Sequence, residues 1–333
     1  MGERTPGPGA TDGPPEEHET VRRRALRLVR LSYRLLLSLL PFLFPAWTVL
    51  SVWTAGDRVS WFASMATLTA FFVVLEGLGA PAQHPRLVRR TVEGVGLAAV
   101  LSVCRLPSLR AGHDLSYPLV SLVLLAVALA AVARARLHRW GAPLSRPLRF
   151  PLEGTWYVVH GGGRLINHHA PFPEQRGAVD LTGLGRYGTR SARDRADVTA
   201  YAAYGRPVFA PCRGRVVSAG DGIEDQRPGA VRRQPLYGNH VFIDTGREIV
   251  KLAHLRPGSL RVRAGDEVEA GQLLGEVGNS GNSTEPHLHL HAERDGVGLD
   301  LAFSDVPGRL YRGRTVRTTR MTRTARRRAS ARP

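Results

Sequence analysis

"GNSGNSTEPHLHLHAE", residues 278–293, sets three histidines at alternate positions directly after a turn rich in glycine and serine. Extended backbone sends side chains at i, i+2 and i+4 to one face. A strand here therefore places His287, His289 and His291 on one surface, with Leu288 and Leu290 behind them in a core. Imidazole is the commonest protein metal ligand and the usual proton carrier near neutral pH. A lone HxH can equally be a solvated face, so the rest of the chain has to decide between them.

The surrounding sequence is strand-like throughout. After Pro151, short runs rich in Val, Ile and Phe alternate with Gly, Pro and Asp turns, as in "RPVFAPCRGRVVSAGD", "GNHVFIDTG", "EIVKLAHL" and "GDEVEAGQLLGEVGNSG". No helix-length amphipathic segment intervenes, which is the pattern of an all-β domain of short strands. Arg186–Asp197 is polar and reads as a loop. From Arg312 onward the chain is a basic low-complexity run, expected to be a disordered tail that either touches anionic lipid or wall polymer or is simply solvated.

The N-terminal half has a different composition. Residues 1–25 open with a Pro-, Gly- and Glu-rich stretch expected to be disordered. Leu35–Trp53, Val59–Leu75 and Leu115–Ala133 are apolar runs that approach the roughly 20 residues needed to cross a bilayer, and arginines flank them. Gly94–Cys104 is apolar but short, either a fourth span or a re-entrant piece. The expected organisation is thus three or four transmembrane helices over 26–140, a linker over 141–155, a β domain over 156–311 and a tail over 312–333. The arginines before Leu35 place the N-terminus in the cytoplasm. Four spans then return the chain to that side, and three leave the C-terminal domain outside.

The chain of 333 residues carries a formal charge of +18, almost all of it from arginine, since Lys251 is the only lysine. Such a balance favours anionic partners. No interleaved aromatic-and-basic platform accompanies it, so nucleic acid is not an expected partner. Cys104 and Cys212 make no disulfide framework and no thiolate metal site, and any metal must be held by His and carboxylate. Cys212, beside Pro211 in an apolar strand, reads as a small buried hydrophobe.

The stretch "YGNHVFIDTGREIVKLAHLRPGSLRVRAGDEVEAGQLLGEVGNSGNSTEPHLHLHAE" resembles the core of the lysostaphin/LytM-like zinc endopeptidases, which cut peptide cross-links in bacterial peptidoglycan. The resemblance covers Trp156–Glu293 and rests on an upstream His…Asp pair, "AHL", a "VxxGDxVxxGQxxGxxGNSGxS" run and the final "PHLH". It implies a lysostaphin-like fold of antiparallel sheets, with Zn2+ held by Asp180, His289 and an upstream histidine. His254 and His287 are then the catalytic pair, and peptidoglycan peptides the substrate. Two His and one carboxylate leave an open position on zinc, as a catalytic site requires.

Several positions depart from the family. The short HxxxD form is missing, because Arg176 stands four before Asp180. The element "NHHAPFPEQRGAVD" resembles a subgroup with NHH or NYH upstream, which favours His169 as the ligand, with His168 as the alternative. Leu252 and Glu285 replace a common aromatic and a common glycine without removing a ligand. His291, where many relatives carry an acid, either orients a ligand or is exposed. His160 and His240 match no family role and read as structural.

The leading expectation is a membrane-anchored zinc metalloendopeptidase in the cell membrane, its C-terminal domain outside the cytoplasm because its substrate lies there. The alternative is an inactive module that activates another wall hydrolase. A lipoyl- or biotinyl-carrier hairpin is excluded, since Lys251 lies before the "VxxGDxVxxGQ" turn. Specificity is expected from the loops Arg186–Asp197 and Glu224–Gln234.

Overall fold

The computed structural model describes residues 46–47, 49–83, 86–185, 195–230 and 232–318. The expected disordered N-terminus, most of the first apolar run, residues 186–194 of the Arg186–Asp197 loop and the tail beyond 318 lie outside these residues.

Among the described residues, a helical stretch that ends at Thr54 is followed by three helices ahead of the β domain: α1 (Arg58–Leu78), α2 (Arg86–Leu101) and α3 (Ser116–Leu137). Asp57 caps α1, its Oδ1 accepting from the Ser60 N–H at 2.9 Å. Among the described residues, α1 and α3 are the two helices long and apolar enough to cross a membrane. Only 28% of the apolar stretch of α1 and 11% of that of α3 is buried. Leu119, Val120, Leu122 and Val123 of α3 are exposed.

α1 and α3 run side by side in the same direction. Thr67 Oγ1 donates to Ser121 Oγ at 3.0 Å near one end, and Arg136 Nε donates to the Gly77 carbonyl at 3.1 Å near the other. Hydroxyl pairs of this kind hold helices together where no water competes. α2 and the 3-10 turn Ser102–Ser108 carry the chain back, so that the Arg110 carbonyl meets the Arg58 N–H at 2.9 Å. Gly94–Cys104 thus belongs to a return pass between α1 and α3.

The β domain is built on one large antiparallel sheet. Its strands are β1 (Gly154–His160), β2 (Val179–Gly183), β4 (Gly214–Gly220), β5 (Asn239–Asp244), β6 (Ile249–Leu255), β7 (Glu267–Val268), β9 (Leu288–Arg294), β10 (Val297–Gly298) and β11 (Thr315–Thr318). They lie in the order β11-β1-β2-β9-β6-β5-β4-β7, with β10 on β9. β3 (Pro207–Phe209) and β8 (Leu273–Glu276) form a separate two-stranded sheet.

Alternation fills the core from one face. Val179 and Leu181 of β2, Val250 and Leu252 of β6, and Leu288 and Leu290 of β9 are at most 2% exposed. Each such side chain contributes about 1.5–3 kcal/mol by leaving water.

Two expected boundaries move. The 141–155 linker is part of the domain, because Leu148, Phe150 and Leu152 are buried in its core and the Leu148 N–H donates to the Ala302 carbonyl at 2.8 Å. The domain also extends past 311, because β11 pairs with β1 from Thr315 to Thr318.

The helices and the domain meet at a polar seam. The Gly163 N–H donates to the Ala135 carbonyl at 2.8 Å, and Arg309 Nη1 donates to the carbonyls of Leu137 and His138 at 2.7 and 2.5 Å.

Candidate metal centre

The face of the large sheet opposite the core carries the histidines. Strand register sets Asp180 of β2 directly across from His289 of β9, and His289 across from Ala253 of β6. Because Leu288 and Leu290 take the core face, His289 and His291 must take the other. Asp180 and His289 are each 2% exposed, and Asp180 Oδ1 lies 2.9 Å from His289 Nδ1.

His169 reaches the same carboxylate from the loop between β1 and β2. That loop is fixed by backbone and amide bonds. The Asn167 N–H meets the Gly163 carbonyl at 3.1 Å, and Asn167 Nδ2 donates to the carbonyls of Arg176 and Ala178. Asn167 Oδ1 then accepts the His169 N–H at 3.1 Å. Gln175 Oε1 accepts from His169 Nδ1 at 3.1 Å, which turns Nε2 toward Asp180 Oδ2 at 2.9 Å. The neighbouring His168 is exposed, and its Nε2 stands 3.8 Å from the same oxygen. His169, Asp180 and His289 each offer one ligand atom, and these lie within 4.8 Å of one another.

The register slips that bring two more histidines to this face are not visible as spacing. In β6 the pairing jumps from Val241↔Leu252 to Asn239↔Leu255, so the strand holds one extra residue. By alternation His254 would follow Val250 and Leu252 into the core. The bulge turns it out, with φ of 63°, a left-handed backbone uncommon outside glycine. β1 does the same between Val158 and His160, so that His160 pairs with Asp180.

Hydrogen bonds to carbonyls fix the ring protons. His254 Nδ1 donates to the Ser280 carbonyl at 2.9 Å and His287 Nδ1 to the Glu285 carbonyl at 2.7 Å. Both rings keep Nε2 as a bare acceptor. His287 Nε2 lies 3.7 Å from Asp180 Oδ1, and the His254 and His287 rings are 4.8 Å apart. Burial pushes His254 down to about 3 and His289 well below its ordinary value, so both stay neutral. Burial alone would raise the Asp180 carboxyl, but His169, His287 and His289 around it hold it well below the usual carboxylate range.

All the residues expected at the site, His169, Asp180, His254, His287 and His289, converge, with His168 at the rim. His291 is fully buried rather than exposed, and its Nδ1 lies 2.9 Å from His289 Nε2. Tyr237 stacks on the His291 ring at 5.9 Å. Sequence reasoning gave no role to Tyr237, Gln175 or Asn167. The last two stand in the "NHH…QR" element already singled out, and their amides next to a ligand were the available signal. His240 bonds Ser218 Oγ and the Gly238 carbonyl, away from the cluster. Cys212 packs against the core, and burial pushes its thiol up to about 12.

Comparison with known proteins gives a consistent picture. The model of peptidase family M23 matches residues 196–301, a span that holds His254, His287 and His289 and begins after Asp180. Peptidoglycan DD-endopeptidase ShyA of Vibrio cholerae is 33% identical over 104 residues, 31% of this chain and 22% of that protein. The chain therefore spans about a fifth of that relative's length. Lipoprotein NlpD of Yersinia enterocolitica is 32% identical over 89 residues, 27% of this chain and 76% of that protein. The solved structure of the antimicrobial peptidase lysostaphin from Staphylococcus simulans is 22% identical, covers 42% of this chain and 43% of its own, and superposes with a TM-score of 0.27, too low to weigh. With three quarters of one relative covered at this identity, the chain belongs to peptidase family M23.

Proposed function

We propose that the protein is a membrane-anchored zinc metalloendopeptidase that hydrolyses peptide bonds in peptidoglycan stem peptides or cross-links. The observation that carries this reading is the buried set of His169 and His289 about Asp180, each at 2.9 Å from a carboxylate oxygen. The donor set fits the ion. Two imidazoles and one carboxylate are the three-ligand type used by catalytic zinc, with a fourth position left for water or substrate. Zinc held there would supply Lewis acidity toward water and toward a carbonyl oxygen.

The remaining steps fall to this chain's own side chains. His254 and His287 present bare Nε2 atoms to the site, each with its proton parked on a carbonyl. Either can take a proton from the attacking water, and the imidazolium so formed can stabilise the developing oxyanion or return the proton to the leaving amine. The reading of an inactive activator would be favoured by a broken ligand set, and here the set is complete.

α1 and α3, with their outward apolar faces, are the proposed anchor in the lipid bilayer. Arg86, Arg89, Arg90, Arg134, Arg136 and Arg139 fall at the end of the helices that meets the β domain, the arrangement that ordinarily faces the cytoplasm. Peptidoglycan cross-links lie on the other side, and the proposal keeps the domain there, against that charge pattern. The test is metal content and turnover of the full chain purified in detergent, wild type beside His289→Ala. Zinc and peptide release in the wild type, both lost in the variant, are expected. Undiminished hydrolysis after zinc removal would overturn the reading, and zinc-free protein that binds peptidoglycan would favour the activator.

A further inference from the structure

We propose that His160, His168 and Asp180 form a second divalent-cation site, sharing the Asp180 carboxylate with His169 and His289, so that the loaded protein holds two metal ions. This rests on the proposed zinc reading of the first site. One ring nitrogen from each of the two histidines and one Asp180 oxygen lie within 4.8 Å of one another. Ligands about 2.1 Å from a tetrahedral ion sit about 3.4 Å apart, so the group must close slightly. His168 can do so, since its side chain is 54% exposed and its Nε2 is already 3.8 Å from Asp180 Oδ2.

Three independent features point to a ligand rather than to packing. The bulge in β1 turns His160 away from the core face used by Trp156 and Val158 and sets it opposite Asp180. A packing histidine needs no such register change. Second, His160 Nδ1 is buried and has no hydrogen-bond partner among the described residues. Buried ring nitrogens are ordinarily satisfied, and an orphan asks for an explanation. Third, a cavity of about 110 Å³ opens at this point, lined by His160, His168, Asp180, Thr182, Glu285 and His287 among others. It gives an ion room and an entry path.

A carboxylate bridging two ions is the arrangement of co-catalytic hydrolase sites. The second ion would lie on the side of Asp180 away from His254, where His287 also faces the cavity. It would place Lewis acidity where a substrate carbonyl or terminal carboxylate can reach it.

The experiment is metal stoichiometry of the full chain in detergent, loaded with Zn2+ and desalted, for wild type, His160→Ala and His168→Ala. A parallel loading with Mn2+ is read by electron paramagnetic resonance. Two ions per wild-type chain, one in each variant, and an exchange-coupled Mn2+ pair that becomes an isolated ion in the variants are expected. His168 is exposed, so its variant keeps the test free of folding defects. One ion in the wild type, unchanged in both variants, would overturn the second site and leave the first standing. No ion in any of the three proteins would overturn the zinc reading and this proposal with it.

Discussion

Replacing His291 with leucine should weaken metal binding without unfolding the domain. The His291 side chain is 0% exposed and touches the first site only through its Nδ1, 2.9 Å from His289 Nε2. If His289 ligates through Nδ1, the atom nearest Asp180, its proton sits on Nε2 and is donated to His291 Nδ1. Leucine removes that acceptor and leaves the His289 N–H buried without a partner, a loss of about 1–3 kcal/mol. Orienting partners of metal-bound histidines are worth roughly 10–100-fold in affinity, which is about 1.4–2.7 kcal/mol. The two routes agree on scale.

Without metal the His289 proton can sit on Nδ1 and be donated to Asp180 Oδ1, 2.9 Å away, so no N–H is orphaned and the apo domain should melt near the wild-type temperature. Leucine fills a similar volume, and the substitution removes a fully buried imidazole whose neutral state burial already enforces. The assay is competition for Zn2+ against a chelator of known affinity, with thermal melts of the apo forms as the control. His291→Gln, whose amide oxygen can accept the same bond, should recover part of the affinity. Zinc affinity within twofold of wild type in His291→Leu would refute the positioning role and make His291 a packing residue.

Three further outcomes are expected. Gly163→Val puts a Cβ about 2.8 Å from that of His138, at the seam where the metal loop leans on α3; it should cost about 1–3 kcal/mol and also weaken zinc binding, and a melt shift with unchanged affinity would sever the seam from the site. At position 254 the left-handed backbone penalises any residue with a Cβ, so His254→Gly should be more stable than His254→Ala by about 1 kcal/mol in chemical denaturation while both lose turnover. Equal stabilities would mean that the bulge relaxes when the ring is gone. An alkaline phosphatase fused after Thr318 should be active if the domain lies outside the cytoplasm as proposed. A silent phosphatase with a fluorescent green-protein fusion would place the domain with the arginines and turn the substrate toward stem peptides of membrane-bound precursors.

What could be read ahead of the structure followed the period of the backbone. β9 has a strict two-residue alternation, and its leucines and histidines fell to the faces that alternation assigns. The same rule fails for His254 and His160, both of which it would send into the core with Leu252 and Val158. One extra residue in β6 and one in β1 reverse that, and a bulge leaves no mark in residue type or spacing. His254 came to the site only through its resemblance to a motif, and His160, with none to match, was set aside. His168 and His169 posed the same difficulty in a loop, where no period applies. The choice lay in the amides of Asn167 and Gln175, which hold one ring against Asp180 and leave the other at the rim. "GAPLSRPLRFPL" read as linker because proline and arginine dominate it, yet Leu148, Phe150 and Leu152 alternate through it into the core. The two bulges flank Asp180 and His289 on either side, in β1 and β6. The register shifts that defeat a sequence reading are thus also what gathers imidazoles from three strands and a loop around one carboxylate, and removing Val159 or Ala253 would straighten the strand while leaving its histidine on the Asp180 face.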